Sequence, residues 1–322
     1  VHNEKLARFE VMWDSNAACG WGHVSTSDFL TFVDHCCAGP NRTGGPTMSG
    51  SIAFRPDGVP LAAVGWKGDI FLSTADDERV AWFSPPPSAL GMDQAAVGPS
   101  NCNFCPPLPI GKRCQQSCST TKFANVNSSF INDPFLFARK EEPGRMYLLS
   151  SGSMRDQNGP TGVPQSLLWA SDDAPGFLKV GSWKFVSRFW SGNWEAYGPR
   201  TSCVDTFALS GKQIFLFSDC KYHRVRWFVG KLTEERTLDV ETEGIADWGR
   251  LYASQSMDTP DGRRLLIGNI GHPGFCTGTK LLPIGGTDWN SMLSYPRQIH
   301  LDAQSSRLTF APADELRTAR VA

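Results

Sequence analysis

The segment Ser25-Thr-Ser-Asp28-Phe-Leu-Thr-Phe32 decides how this chain is read. It follows an apolar run with small polar residues, an Asp and then an aromatic. The same order returns in Ser73-Thr-Ala-Asp76-Asp77, which leads on to Trp82, and in Ala170-Ser-Asp172-Asp173, which leads on to Trp183. An Asp so placed accepts hydrogen bonds from the N–H groups of its own loop and fixes a polar turn. Each turn is expected between the third strand of a small sheet and its outer edge strand, with the aromatic packed between neighbouring sheets. A turn recurring in that position fits sheets repeated about an axis better than a single sandwich.

Outward from these turns, short apolar runs broken by Gly, Pro, Asp or Asn predict strands from Ser51–Phe54 to Leu308–Ala311. Helical periodicity is nearly absent: Thr233-Glu-Glu-Arg236 predicts one turn, and 313–319 a short terminal helix. Composition agrees. The 322 residues include 31 Gly and 22 Pro beside 20 Phe, 11 Trp and 5 Tyr, too aromatic for a disordered chain. With 31 Lys+Arg against 32 Asp+Glu, no basic excess exists for phosphate-driven nucleic-acid binding. No apolar run reaches the roughly 18 residues of a membrane span. The expected partner is therefore neither nucleic acid nor membrane. One module over 1–322 is expected, with about 84–127 as a Cys- and Pro-rich insertion.

Ten cysteines and two sequons, Asn41-Arg-Thr43 and Asn127-Ser-Ser129, favour a secreted glycoprotein with disulfides. The dense cluster Cys102, Cys105, Cys114 and Cys118 has the spacing of a zinc knot, but the compartment favours two disulfides pinning the loop. The six His are scattered, and no phosphate-binding or dinucleotide-binding glycine pattern occurs. No metal and no cofactor are expected.

Two carboxylates sit at loop–strand junctions among aromatic residues. Asp133 stands in Phe130-Ile-Asn-Asp-Pro134-Phe-Leu-Phe137, where Pro134 removes a backbone donor at the strand's mouth. Glu195 stands in Trp190-Ser-Gly-Asn-Trp194-Glu-Ala-Tyr197, where aromatic neighbours are expected to desolvate it and suit it to proton donation. Rings that stack on sugar faces and paired acids are what glycosidic cleavage uses. The plain alternative is a turn-capping Asp133 and a solvated Glu195.

The chain resembles glycoside hydrolase family 32, the invertases, inulinases and fructosyltransferases. Trp21-Gly-His-Val-Ser-Thr-Ser-Asp28 is similar to the family's Trp-Gly-His-Ala-x-Ser-x-Asp. Met48-Ser-Gly-Ser51 before Asp57-Gly58 is similar to its Phe-Ser-Gly-Ser segment, and Asn132-Asp133-Pro134 to its Arg-Asp-Pro. Trp194-Glu195 is set against its Glu-Cys-Pro-Asp region. Asp247-Trp-Gly-Arg-Leu-Tyr252-Ala and Trp289-Asn-Ser-Met-Leu-Ser294-Tyr-Pro-Arg297 match two later segments in order. The resemblance implies an all-β, five-bladed β-propeller with an axial site where innermost strands begin, its first blade incomplete and the C-terminal β-sandwich absent. It implies a retaining mechanism on β-fructofuranosides, sucrose or fructans. Asp133 then stabilises the transition state, Glu195 is the acid/base, and Ser49, Asn132 and Trp194 contact substrate.

Several departures qualify the activity. The family's nucleophile motif, Trp-Met-Asn-Asp-Pro-Asn-Gly, belongs ahead of Trp21 and is not found, so the nucleophile is unknown, with Asp14 in Trp13-Asp-Ser-Asn16 as the candidate. Asn132 replaces an Arg and its fork of donors. Ala196-Tyr-Gly198 replaces Cys-Pro-Asp. The expectation is a β-fructofuranosidase-type chain that is inactive as it stands, and the alternative is a non-catalytic glycan-binding propeller. A five-bladed glycosidase for arabinose or xylose polymers fits the Trp-Gly-His and Tyr-Ala segments less well.

Overall fold

The computed structural model describes residues 2–3, 8–14, 21–38, 49–56, 60–66, 69–74, 118–121, 130–155, 162–172, 182–270 and 292–319. Among them, five antiparallel sheets follow one another along the chain. The first holds β1 (His2–Asn3), β2 (Arg8–Asp14), β3 (Trp21–Thr26) and β4 (Val33–Ala38), and the second β5 (Gly50–Phe54), β6 (Pro60–Trp66), β7 (Asp69–Thr74) and β8 (Cys118–Thr121). The third holds β9 (Phe130–Ala138), β10 (Met146–Arg155), β11 (Gly162–Ser171) and β12 (Lys184–Ser191), and the fourth β13 (Thr201–Leu209), β14 (Lys212–Asp219), β15 (Val225–Leu232) and β16 (Leu238–Ile245). The fifth holds β17 (Leu251–Asp258), β18 (Arg264–Ile270), β19 (Met292–Leu293), β20 (Arg297–Asp302) and β21 (Arg307–Pro312), with β19 and β20 both paired to β18. Consecutive four-stranded meanders are the connectivity of a β-propeller, as the turn pattern predicts.

Two compact units divide the chain: Val1–Ala124 with Leu136–Leu148 and Ala170–Lys184, and Asn125–Phe135 with Leu149–Trp169 and Phe185–Ala322. In the second unit β14 is buried on both faces, and its period of two sorts the side chains. Ile214 and Leu216 join Val225, Trp227, Leu251 and Ile299 in the aliphatic core. Phe215 and Phe217 face the other way, into a ring cluster with Trp190, Tyr197 and Phe228.

The founding turn behaves as read. Asp28 lies between β3 and β4, and its Oδ1 accepts the N–H groups of Leu30 (2.9 Å) and Thr31 (2.8 Å). These bonds hold its carboxyl below the usual range. Phe29 is buried and packs on Phe9 of its own sheet, ring centroids 4.5 Å apart. Asp172 likewise follows β11, the third strand of its sheet, where Arg145 forks it at 2.5 and 3.0 Å. Asp76, Asp77, Trp82, Asp57, Gly58, Trp289, both sequons, Cys102, Cys105 and Cys114 lie outside the described residues. Of the Cys- and Pro-rich stretch, only β8 is described.

One helix expectation changes, and the short terminal helix is found in 3-10 form. Thr233–Arg236 is the hairpin turn between β15 and β16, closed by the Thr233 N–H on the Thr237 carbonyl at 2.9 Å. Leu238–Ile245 goes unforeseen as a strand because, as an outer edge, it is mostly exposed and carries Asp and Glu. Asp314–Ala319 forms a 3-10 helix.

Candidate active site

Asp133 is buried on β9, the first strand of its sheet, with a φ of 47°. Its Oδ2 accepts the Cys203 N–H at 2.9 Å and the Ser151 hydroxyl at 3.4 Å, with the Cys203 thiol at 3.9 Å. The backbone twist is repeated on the first strands of the next two sheets, at Cys203 (50°) and Ala253 (48°). There the pairing slips between Ser202 and Asp205 and between Tyr252 and Gln255. A bulge unpairs backbone N–H groups from the ladder, and neighbouring first-strand side chains accept several of them. Ser51 Oγ takes the Leu136 N–H at 2.7 Å, and Asp205 Oδ2 takes the Ser256 N–H at 2.6 Å. Asp205 is fully buried, and burial raises its carboxyl above the usual range although Arg264 lies 3.6 Å away. Tyr252, at the fifth sheet's slip, is buried, and burial first, with the charges of Cys203 and Asp133 next to it, lifts its phenol above the usual range.

The other candidate residues separate. Asn132 is buried beside Asp133, and its Oδ1 has no hydrogen-bond partner. Ser49 is half-buried just ahead of β5. Asp14 ends β2, a second strand, opposite Trp21. Trp194 and Glu195 open α1 (Trp194–Tyr197), not a loop entering a strand as expected. Asn193 caps α1 by accepting the Ala196 N–H at 2.7 Å. Tyr197 anchors it through ring contacts to Trp190 and Phe228 and a 2.7 Å hydroxyl bond to Glu243. Glu195 itself is exposed, so the expected desolvation by its aromatic neighbours does not occur. The anchor that fixes the helix takes Tyr197 inward and leaves the acid in water.

What meets Asp133 from the fourth sheet is β13, at Ser202-Cys203-Val204-Asp205. Its Cys203-Val-Asp205 has the spacing of the Cys and Asp in the Glu-Cys-Pro-Asp segment, a likeness that setting Trp194-Glu195 against that segment passes over.

Successive four-stranded meanders define a β-propeller, and Asp133 lies buried on a first strand of one of its sheets. The profile of the Glycosyl hydrolases family 32 N-terminal domain matches residues 112–312, and the chain belongs to that family. Its fold is similar to a beta-fructofuranosidase of Bombyx mori, at 19% identity and a TM-score of 0.65, over 98% of this chain and 62% of the other. It is similar to a family 32 glycoside hydrolase of Bifidobacterium adolescentis, at 17% identity and 0.66, over 97% and 56%. A third likeness is to fructan 1-exohydrolase IIa of Cichorium intybus, at 15% identity and 0.62, over 98% and 58%. The chain thus spans 56–62% of the length of these proteins.

Proposed function

We propose that the chain recognises β-fructofuranosyl units of sucrose or fructans at Asp133 and does not itself hydrolyse them. The observation that carries this is the pair Asn132–Asp133. Asp133 is an acceptor oriented by buried donors, and beside it Asn132 Oδ1 is buried with no hydrogen-bond partner. Two such acceptors in adjacent positions suit neighbouring sugar hydroxyls, and an unsatisfied buried acceptor is stabilised when a donor arrives. The exposed Trp194 is the further contact in this proposal.

Retaining hydrolysis needs two carboxyls about 5–5.5 Å apart on either side of the bond. In our reading Ser202 stands where the acid/base belongs, and a hydroxyl there cannot deliver a proton at neutral pH as a carboxylic acid does. The exposed Glu195 does not replace it. Secretion fits the cysteine-rich sequence and the disulfide at Cys220.

Calorimetric titration of the 322-residue chain with sucrose and with inulin-type oligosaccharides tests the proposal. Binding weakened about 10–100-fold by Asp133→Asn, a loss of roughly 1.5–3 kcal/mol for hydrogen bonds to a charged group, is expected, with no glucose or fructose released. Release of fructose that disappears in Glu195→Gln would instead return the acid/base role to Glu195 and Asp14 to consideration as nucleophile.

A further inference from the structure

The fourth and fifth sheets carry a basic aromatic rim. Their first strands begin, and their second strands end, at one edge, because Thr201 pairs with Asp219 and Leu251 with Ile270. Among the described residues, the connections at that edge include 193–200, 220–224, 246–250 and 294–296. From them Trp248 (77% exposed), Tyr295 (73%) and Tyr222 (50%) project into water. Large apolar rings left exposed together mark a binding surface more often than a bare one.

The rim is also charged unlike the chain. Residues 193–200, 219–226, 246–250 and 294–297 hold six Lys or Arg and three carboxylates, against 31 and 32 overall. Two of those carboxylates are spent: Asp219 pairs with Arg226 at 2.7 Å and Asp247 with Arg297 at 2.6 Å. Among the described residues, Lys221, Arg224 and Arg250 have no carboxylate partner. The Arg224 guanidinium lies 5.3 Å from the Trp248 ring and 5.9 Å from the Tyr222 ring, and Lys221 Nζ lies 5.1 Å from Tyr222. A guanidinium held on rings keeps its donors in a fixed plane, the arrangement that suits sulfate and carboxylate oxygens. The same loop runs inward: the His223 ring is 5.8 Å from Tyr252, next to the bulge at Ala253.

We infer that this rim binds an acidic glycan, with sugar rings stacked on Trp248 and Tyr222 and sulfate or uronate groups held by Arg224, Lys221 and Arg250. Charge complementarity selects the anion, and the exposed rings of Trp248 and Tyr222 beside the Arg224 guanidinium offer flat apolar faces of the kind on which sugar rings stack. The inference does not rest on the fructoside reading.

Affinity electrophoresis of the 322-residue chain through gels containing dextran sulfate, polygalacturonate or neutral dextran tests it. Retardation by one or both acidic polymers and not by dextran is expected, weakening with salt. Arg224→Gln and Trp248→Ala should each weaken it about tenfold, with circular dichroism unchanged because Trp248 is exposed and the half-buried Arg224 has no carboxylate partner among the described residues. Asp133→Asn should leave it intact. Retention of full binding by Trp248→Ala, or equal retardation by polyphosphate or a single-stranded oligonucleotide, would show charge alone at work and overturn the proposal. So would loss of neutral inulin binding in the same two variants, which would make the rim part of the Asp133 site.

Discussion

Asp133, Cys203 and Ala253 hold a left-handed backbone that non-glycine residues adopt at a cost of about 1 kcal/mol or more. At Cys203 and Ala253 the cost is accepted because the bulge frees an N–H that an acceptor from another strand uses, Asp133 Oδ2 for Cys203 and Ser218 Oγ for Ala253. Ala253 offers the cleanest measurement, since its N–H donates to Ser218 Oγ at 2.9 Å and its side chain is only a methyl. Ala253→Gly should fall within about 1 kcal/mol of wild type, strain relief offsetting chain entropy. Ala253→Val, branched where φ is positive, should lose about 2 kcal/mol in denaturant unfolding. Equal stability of the two variants would mean that the backbone relaxes there without strain. At this scale the sequence was only half legible. Asp133 stood out because Pro134 follows it, but nothing in one sequence shows that Cys203, eight positions past Glu195, turns back to donate to it.

Elements were easier to read than their ends. The meander was legible from the turn at Asp28, because an Asp two and three residues ahead of loop N–H groups has a local job that needs no tertiary knowledge. β16 and α1 were not, because their structure is imposed from outside. β16 is a polar edge strand zipped onto β15, and α1 is a single turn held down by Tyr197 among rings contributed by other strands. The terminal 3-10 helix is held the same way. Arg263 forks Glu315 at 2.6 and 3.1 Å, which keeps the Glu315 carboxyl below its usual range. A lowered folded-state pKa gives stability that is present above about 4.5 and lost as the pH falls through the folded value. Glu315→Gln should therefore cost about 1–2 kcal/mol at neutral pH, with the gap to wild type closing on acidification. A gap that stays constant from pH 7 to pH 3 would show that charge is not what fastens the helix.

For the molecule as a whole, acid acts through carboxylates of both signs. Asp28, Asp261, Asp302 and Glu241 are lowered by hydrogen bonds to their charged forms, so each withdraws stability as acid protonates it. Asp205 works in reverse. Its raised folded-state pKa means that a native-state penalty, complete above that value, is released as the pH falls through it toward 3.8. Wild type should thus gain stability relative to Asp205→Asn on acidification, whereas relative to Glu315→Gln it should lose it. Denaturant midpoints for the three proteins between pH 7 and pH 3 read both signs, and parallel curves would show that the Asp205 carboxyl carries no such penalty. Family and fold were legible at this scale because motif order survives at 15–19% identity. The chemistry was not, since it depends on which side chain a strand delivers and not on which residue types lie nearby. The repeated left-handed residue makes that delivery modular. One backbone device presents residues 133, 203 and 253 from three successive sheets, and the ladders on either side of each do not depend on what it carries. An ancestor and its descendants can therefore exchange an acid for a hydroxyl, or a thiol for a methyl, at one address without rebuilding the sheet. Catalysis can lapse in such a lineage while recognition persists, and directed libraries confined to those addresses and their preceding residues would sample new ligands at little risk to folding.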